Sequence, residues 1–426
     1  MKQTVRRRIR KPEWVGAALS VLLEISALNG AWAGDARSMA PVASRPVAMG
    51  HVFVIVLENE AYEDTFSSQS PAPFLAHVLP AQGVLLTHYF GTSHYSLPNY
   101  IAMISGQAAN PDTRDDCLVF KDFVSQGTTA DGQVIGRGCV YPAHVDTLVQ
   151  QLTRHHKSWR AYMEDMGNDP AREAATCGSV PLNQPDPTQA AAGPSRRVPL
   201  GDQYAARHNP FVYFHSVLDS PTCRRQVVNL RLLQRDLHSA ATTANFSFIA
   251  PNLCHDGHDA PCTTGEPGGL VSADEFLRTW VPRILQSPAY RADGLLVILF
   301  DEGDVPEMPN PAGGHLQHYP GAVCCNEQPG PNLAAFPQVA TWGDDTITFD
   351  YFGGDRTGAL LLSPALVAGT VAHTPFNHYA FLKSIEHLFG ITPYLGYAGQ
   401  PGLIDFFACE GSDVQTVPGF SQRCRP

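Results

Sequence analysis

Four short runs of apolar residues, rich in Val, Ile and Leu, punctuate the chain: HVFVIVL at 51–57, FSFIA at 246–250, LLVILF at 295–300 and ALLLS at 359–363. None alternates polar with apolar positions, so each predicts a strand buried on both faces. Between them the period changes to that of a helix. Residues 272–286 open with Ser272 and Glu275, the pairing of a capping box, and place Phe276, Trp280, Val281, Ile284 and Leu285 on one face, with Pro282 as an expected kink. Residues 377–389 begin at Asn377, a good N-cap, carry Phe381, Leu382, Ile385 and Leu388 at helical spacing, and stop before Gly390. Buried strands alternating with amphipathic helices predict an α/β fold: a central, mostly parallel sheet with helices on both faces.

Two stretches break this rhythm. Residues 165–205 are rich in Ala, Pro, Asp and Gly, and 303–357 in Gly, Pro and Asn, so both read as long loop insertions able to form a lid or pocket wall. The expected organisation is an export signal at 1–33, a linker at 34–50, one catalytic domain at 51–390, and a Cys-containing tail of the same domain at 391–426. The signal reading rests on Arg6, Arg7, Arg8, Arg10 and Lys11 ahead of the apolar run from Trp14 to Leu23, followed by AWA at 31–33. The adjacent arginines loosely match a twin-arginine signal, so the export route stays open.

Composition narrows the classes. With 426 residues, 44% hydrophobic and 16% charged, the chain is too long and too apolar to be disordered. No run of about 18 uninterrupted apolar residues occurs, which argues against a membrane-spanning helix. The net charge of −11 argues against a sequence-blind nucleic-acid binder, which needs Lys and Arg in excess. Removal of 1–33 would take away six basic and two acidic residues, leaving 23 Lys and Arg against 38 Asp and Glu. The ten cysteines, all beyond that segment, form an even set with close neighbours at 117/139, 254/262 and 409/424. That fits disulfides in an oxidising compartment, periplasmic or extracellular. No CxxC pair favours a zinc cluster instead.

Ligands of open parallel sheets bind beyond the carboxyl ends of the strands. Glu58 and Asn59 follow the first run, PNLCHDGHD with Asp256 and His258 follows the second, and Asp301, Glu302 and Asp304 follow the third. His378 opens the helix after the fourth. Each acid alone would read as a cap or turn residue. Together at one edge they would repel unless cations neutralised them, so one or two divalent metals are expected, with Zn, Mn, Fe, Mg and Ca all open. The nucleophile candidate is Ser96, in GTSHYSLPNYIAMISG at 91–106. Pro98 and the run to Gly106 predict a short helix that starts at this serine, where its hydroxyl would meet the positive helix end. Simple capping by Ser96 is the alternative. Asn99 would be a donor to a phosphoryl oxygen or a local hydrogen-bonding residue. No GxSxG elbow surrounds the serine. His155, His156, His315 and His318 read as surface groups, and Tyr162 and Glu164 as packing.

The blocks HVFVIVLEN, SLPNYIAMISG, SWRAYMEDM, HNPFVYF, PNLCHDGHD, LRTWVPRILQSPAY, ILFDEGD and TPFNHYAFLKSIEHLFG, in that order over about 51–390, resemble the phosphoesterases that include secreted acid phosphatases and phosphatidylcholine-type phospholipases C, in the alkaline phosphatase superfamily. The resemblance implies an alkaline-phosphatase-like fold and a Ser96 nucleophile that bridges to a metal and forms a phosphoserine intermediate. It places Glu58, Asp301 and Glu302 around one cation, and Asp256, His258 and His378 around a second cation or the phosphate. Asn59, Asn99 and His208 become phosphate contacts, with Asn59 also counted among the metal ligands. Asp256 and Asp259 both remain possible ligands in DGHD, and Tyr95 stands before Ser96 where many relatives carry Pro. The expected activity is hydrolysis of small phosphomonoesters. A phospholipase C-type diesterase acting on phospholipid headgroups and a non-catalytic binding protein stapled by metal are the alternatives.

Overall fold

The structure, a computed structural model, describes residues 49–407 together with 409–410 and 414–415. The expected leader, most of the linker and Cys424 of the 409/424 pair lie outside the described residues. A mixed sheet of eight strands organises the chain: β1 (His51–Leu57), β2 (Val84–Leu86), β3 (Trp159–Met163), β4 (Val227–Asn229), β5 (Phe246–Ala250), β6 (Gly294–Phe300), β7 (Ala359–Leu362) and β8 (Thr370–Ala372). Their order is β8-β2-β7-β6-β1-β5-β3-β4. Pairing is parallel throughout β6-β1-β5-β3-β4 and between β8 and β2, and antiparallel on both sides of β7.

The continuous apolar runs are explained by two cores. Val52, Val54 and Val56 face one side with Leu295, Val297 and Leu299, against helix α1 (Ser96–Ser105) and helix α3 (His378–Leu388). Phe53, Ile55 and Leu57 face the other with Leu296, Ile298 and Phe300, against helix α2 (Gly269–Gln286), which buries Phe276, Trp280, Val281 and Ile284. Each such side chain removed from water contributes roughly 1.5–3 kcal/mol.

Two sequence expectations need correction. ALLLS is a strand, but it runs antiparallel to β6, with Leu362 opposite Leu296. Its end therefore lies at the far edge, where Ser363 Oγ donates to Gly294 O at 2.6 Å. The chain returns through β8 and the short pairing of Phe376–Asn377 with Tyr89–Phe90 before His378 is delivered. A run buried on both faces carries no direction, so the sequence could not distinguish the two senses. The second correction concerns α2, which starts at Gly269, so Ser272 lies inside it and accepts from the Gly268 N–H at 2.9 Å.

Helix α3 begins as expected. Asn377 is its N-cap, accepting from Ala380 N at 3.1 Å and donating to Glu327 Oε2 at 2.9 Å. Asn377→Ala should lower stability by about 1–2 kcal/mol in urea melts, because it removes the cap and strands the buried Glu327 carboxyl.

The 303–357 stretch is more than loop. It carries a second, four-stranded sheet of Met308–Pro309, His315–Tyr319, Asp345–Phe349 and Gln338–Trp342. Disulfides join Cys117 to Cys139, Cys177 to Cys223, Cys254 to Cys262, and Cys324 to Cys325. Two of these are pairs suggested by close spacing; the bond from Cys177 to Cys223 closes a gap of 46 residues that spacing did not indicate.

Candidate active site

Strand register builds the site. Leu57 sits opposite Phe300 and Ile55 opposite Ile249, so Glu58, Asp301 and the loop after β5 emerge at one edge. Backbone bonds lock the three ends together: Glu58 N to Asp256 O at 2.8 Å and Asp301 N to Leu57 O at 2.9 Å. Helix α1 lies over this edge. Gly106 ends it at φ 67, and a Cβ there would stand 2.3 Å from Leu395 O, so only glycine fits. At its start Tyr95 is held at φ 71, a conformation unfavourable for a residue with a side chain, which presents Ser96 as the first helical residue.

Ser96 does not cap its helix. Its hydroxyl donates to Glu58 Oε2 at 2.5 Å, while Tyr100, one turn on, donates to Glu58 Oε1 at 2.5 Å. His208 stacks on the Tyr100 ring, with centroids 5.3 Å apart, and its Nε2 lies 3.3 Å from Glu58 Oε1. Its Nδ1 lies 3.8 Å from Asp256 Oδ2. Burial pushes the Glu58 carboxyl up to about 7, opposed by the Ser96 and Tyr100 hydrogen bonds. Burial, reinforced by the Glu58 charge, also raises Asp256 and Asp301. Burial and the nearby Arg207 push His208 well down, which leaves a neutral imidazole.

Asp301 Oδ1 accepts from the N–H groups of Asn59 (3.1 Å) and Glu302 (2.7 Å). Glu302 meets His94 Nδ1, and His94 Nε2 reaches Asp355 Oδ2 at 2.9 Å, tying the acidic pair to the end of the 303–357 insertion. His378 donates from Nε2 to the Asp301 carbonyl at 2.5 Å and accepts the Tyr89 hydroxyl at Nδ1 (2.9 Å), so both ring nitrogens are engaged; burial pushes it down to about 4. Asn99 spends its amide on the loop before α1, accepting from Thr92 and Ser93 and donating to Ser93 O and Tyr95 O. His258 stands exposed at the rim. Of the two acids in DGHD, Asp256 is buried and Asp259 half exposed.

The structure thus brings Glu58, Asn59, Ser96, His208, Asp256, Asp301, Glu302 and His378 to one edge, leaves His258 on its rim, and turns the Asn99 amide inward. It adds five residues that the sequence reading missed: Tyr100, Arg207, Asp116, His94 and Asp355. Tyr100 had a signal, four residues after Ser96 on the same helix face. Arg207 is a largely buried cation, its side chain 12% exposed, whose Nε lies 3.8 Å from Asp116 Oδ2, and Asp116 Oδ1 accepts the Leu97 N–H of α1 at 3.0 Å. Asp116 and Asp355 come from irregular loops, where no period betrays a residue's place.

The donor set suits a hard divalent cation. Asp256 Oδ2, Asp301 Oδ2 and Asn59 Oδ1 are buried oxygens without a hydrogen-bond partner, beside the Glu58 carboxyl, an arrangement that a bound cation would satisfy. The one group of three Cys, His, Asp or Glu atoms lying within 4.8 Å of one another among the described residues is elsewhere, at Cys254, His255 and Glu266. Its sulfur is spent in the Cys254–Cys262 disulfide.

A sequence model of the phosphoesterase family matches residues 67–392. The chain belongs to the phosphoesterase family. This phosphoesterase is 30% identical over 258 residues to the phosphate-repressible acid phosphatase of Penicillium chrysogenum, a match covering 60% of this chain and 48% of that one. It is 25% identical over 291 residues to the phosphatidylinositol-3-phosphatase of Mycobacterium tuberculosis, covering 67% and 75%. The chain spans about half the length of the curated acid phosphatases it matches. Among solved structures, an alkaline phosphatase superfamily protein from Vibrio parahaemolyticus aligns with a TM-score of 0.42 at 10% identity, over 83% of this chain and 69% of that one. The fold assignment stands on the sheet itself.

Proposed function

We propose that this phosphoesterase is an exported, metal-dependent hydrolase of phosphomonoesters. The observation that carries the reading is Ser96: a hydroxyl presented by a strained residue at a helix start, 2.5 Å from Glu58, in a buried pocket of unpartnered carboxylate oxygens. Glu58, Asn59, Asp256 and Asp301 would hold a divalent cation, which when bound supplies positive charge to the phosphoryl oxygens and favours the ionised serine.

The chain's own residues then divide the work. Ser96 Oγ bonds to phosphorus as the ester P–O bond breaks, and the alcohol leaves with a proton. Water attacks the resulting phosphoserine, the Oγ–P bond breaks, and phosphate departs. Glu58 and Tyr100 fix the direction of the Ser96 hydroxyl, Arg207 meets phosphoryl charge, and neutral His208 lies within reach of the same atoms. The four disulfides support export to an oxidising compartment. The alternative, a phospholipid substrate, is favoured by Met308, Val339 and Tyr351, apolar and exposed in the 303–357 insertion, and by the name of the mycobacterial relative.

Metal analysis of the purified protein, with rates on phosphomonoesters, diesters and phospholipid vesicles before and after chelation, tests this. Bound divalent metal and chelator-sensitive monoester hydrolysis are expected. Faster turnover of vesicles than of soluble monoesters would move the assignment to the lipid reading.

A further inference from the structure

The 165–205 insertion is tied together by one buried side chain that has no part in the reaction as described. Arg172 is only 9% exposed and sits in a turn where its N–H donates to Asp169 O at 2.9 Å. Each guanidinium nitrogen donates to a backbone carbonyl of the same insertion: Nε to Pro187 O at 3.2 Å, Nη2 to Ala190 O at 2.6 Å, and Nη1 to Asp202 O. Asp202 Oδ2, 3.2 Å from Nη1, supplies the counter-charge. Burial and the Asp202 charge push Glu173 up to about 8, so at neutral pH it stays protonated and leaves Asp202 to balance Arg172. A guanidinium is a rigid fork of donors, so it fixes the carbonyls it binds relative to one another.

These carbonyls share a place in the chain. Pro187 and Ala190 bracket Thr188 and Gln189, and those two residues hold the segment that enters the site. Thr188 Oγ1 accepts the Ala206 N–H at 2.8 Å, and Gln189 O accepts from Nη1 of Arg207 at 3.0 Å. The third carbonyl, that of Asp202, lies at the start of the same segment, where Asp202 Oδ1 accepts the Tyr204 N–H at 3.1 Å. Arg207 is thereby held from behind, with Nη1 on Gln189 O, Nε 3.8 Å from Asp116 Oδ2, and the Glu58 and Asp256 charges within its field. Gln189 Nε2 also donates to Asp116 O at 3.0 Å, which joins the two anchors of Arg207 to each other. A long side chain must lose its rotamer freedom before it meets a phosphoryl group in a fixed geometry, and anchoring in advance removes that cost from the reaction.

We propose that Arg172 is a positioning residue for phosphoryl transfer: by holding Pro187, Ala190 and Asp202 in one frame, it fixes Arg207 where phosphoryl charge arrives. The proposal rests on the assignment of Arg207 to the phosphoryl group. Arg172 acts only through that second arginine, so its contribution exists only while the Arg207 guanidinium is present.

The test is a double-mutant cycle on the full chain supplied with divalent cation, read as kcat/KM for 4-nitrophenyl phosphate and as the inhibition constant of inorganic phosphate. Arg172→Met is expected to lower kcat/KM about tenfold and to raise the inhibition constant by a similar factor. In the Arg207→Met background the same substitution is expected to change either value by less than about twofold, since no guanidinium is left to aim. Thr188→Val removes the anchor of the Ala206 N–H without altering charge. It is expected to show the same dependence on background, and it decides the question should Arg172→Met fail to fold. No effect in the wild-type background, or equal factors in both backgrounds, overturns the positioning role alone. An Arg207→Met variant with wild-type values overturns it together with the role given to Arg207, and a wild type that hydrolyses no phosphate ester overturns the proposed activity as well.

Discussion

Ser96→Ala should lower kcat on phosphomonoesters by about 10³-fold or more while the protein stays folded. The small side chain leaves Tyr95 and α1 in place, because the serine contributes no cap to its helix. What disappears is the oxygen proposed to accept the phosphoryl group, together with its hydrogen bond to Glu58. Mass spectrometry after acid quench of the wild type should find phosphate on Ser96 and nowhere else. Near wild-type rates for Ser96→Ala with a soluble ester would end the proposed mechanism, whatever the metal content. A loss confined to KM would place Ser96 in binding rather than chemistry.

Much of this site was legible because its residues sit at the ends of strongly patterned elements. Glu58, Asp301 and Asp256 directly follow apolar runs, and a parallel arrangement of β1, β5 and β6 forces their ends to one edge. Ser96 was legible for a related reason, with Pro98 and Gly106 bounding a short helix. What the pattern could not carry was direction and loop geometry. β7 has the same apolar signature as β6 yet runs the opposite way, so His378 reaches the edge by a longer route than the sequence suggests. Arg207, Asp116 and Asp355 are placed by turns and by the 303–357 sheet, through contacts distant in sequence. The acids at the strand ends pointed to divalent metal as the source of positive charge at the site. Arg207, whose charge is felt by Asp116, Glu58 and Asp256, changes that: one cation is part of the chain. The Asn99 amide, bonded on both atoms within its own loop, follows the local reading of an Asn in a first helical turn.

Stability measured against pH, with and without divalent cation, should show the strongest effect after loss of the serine. In the unfolded chain Glu58 titrates at the ordinary carboxylate value of 4.5, whereas in the folded, metal-free protein burial pushes it up to about 7. Between these values the unfolded state releases its proton while the folded state keeps it, so the stability of the stripped protein falls as pH rises through this window and is lowest above it. For Glu58 alone the span corresponds to about 3 kcal/mol, and Asp256, Asp301 and Glu302, raised in the same direction, add to it. A cation prefers the ionised ligands and stabilises the folded state by mass action. The rise in melting temperature on adding divalent metal to stripped protein should therefore be small at pH 5 and large at pH 8. Asp301→Asn, which removes one of the unpartnered oxygens and part of the repulsion, should make the stripped protein less sensitive to pH and shrink the gain from metal. If metal raises the melting temperature equally at both pH values, these carboxylates are not its ligands.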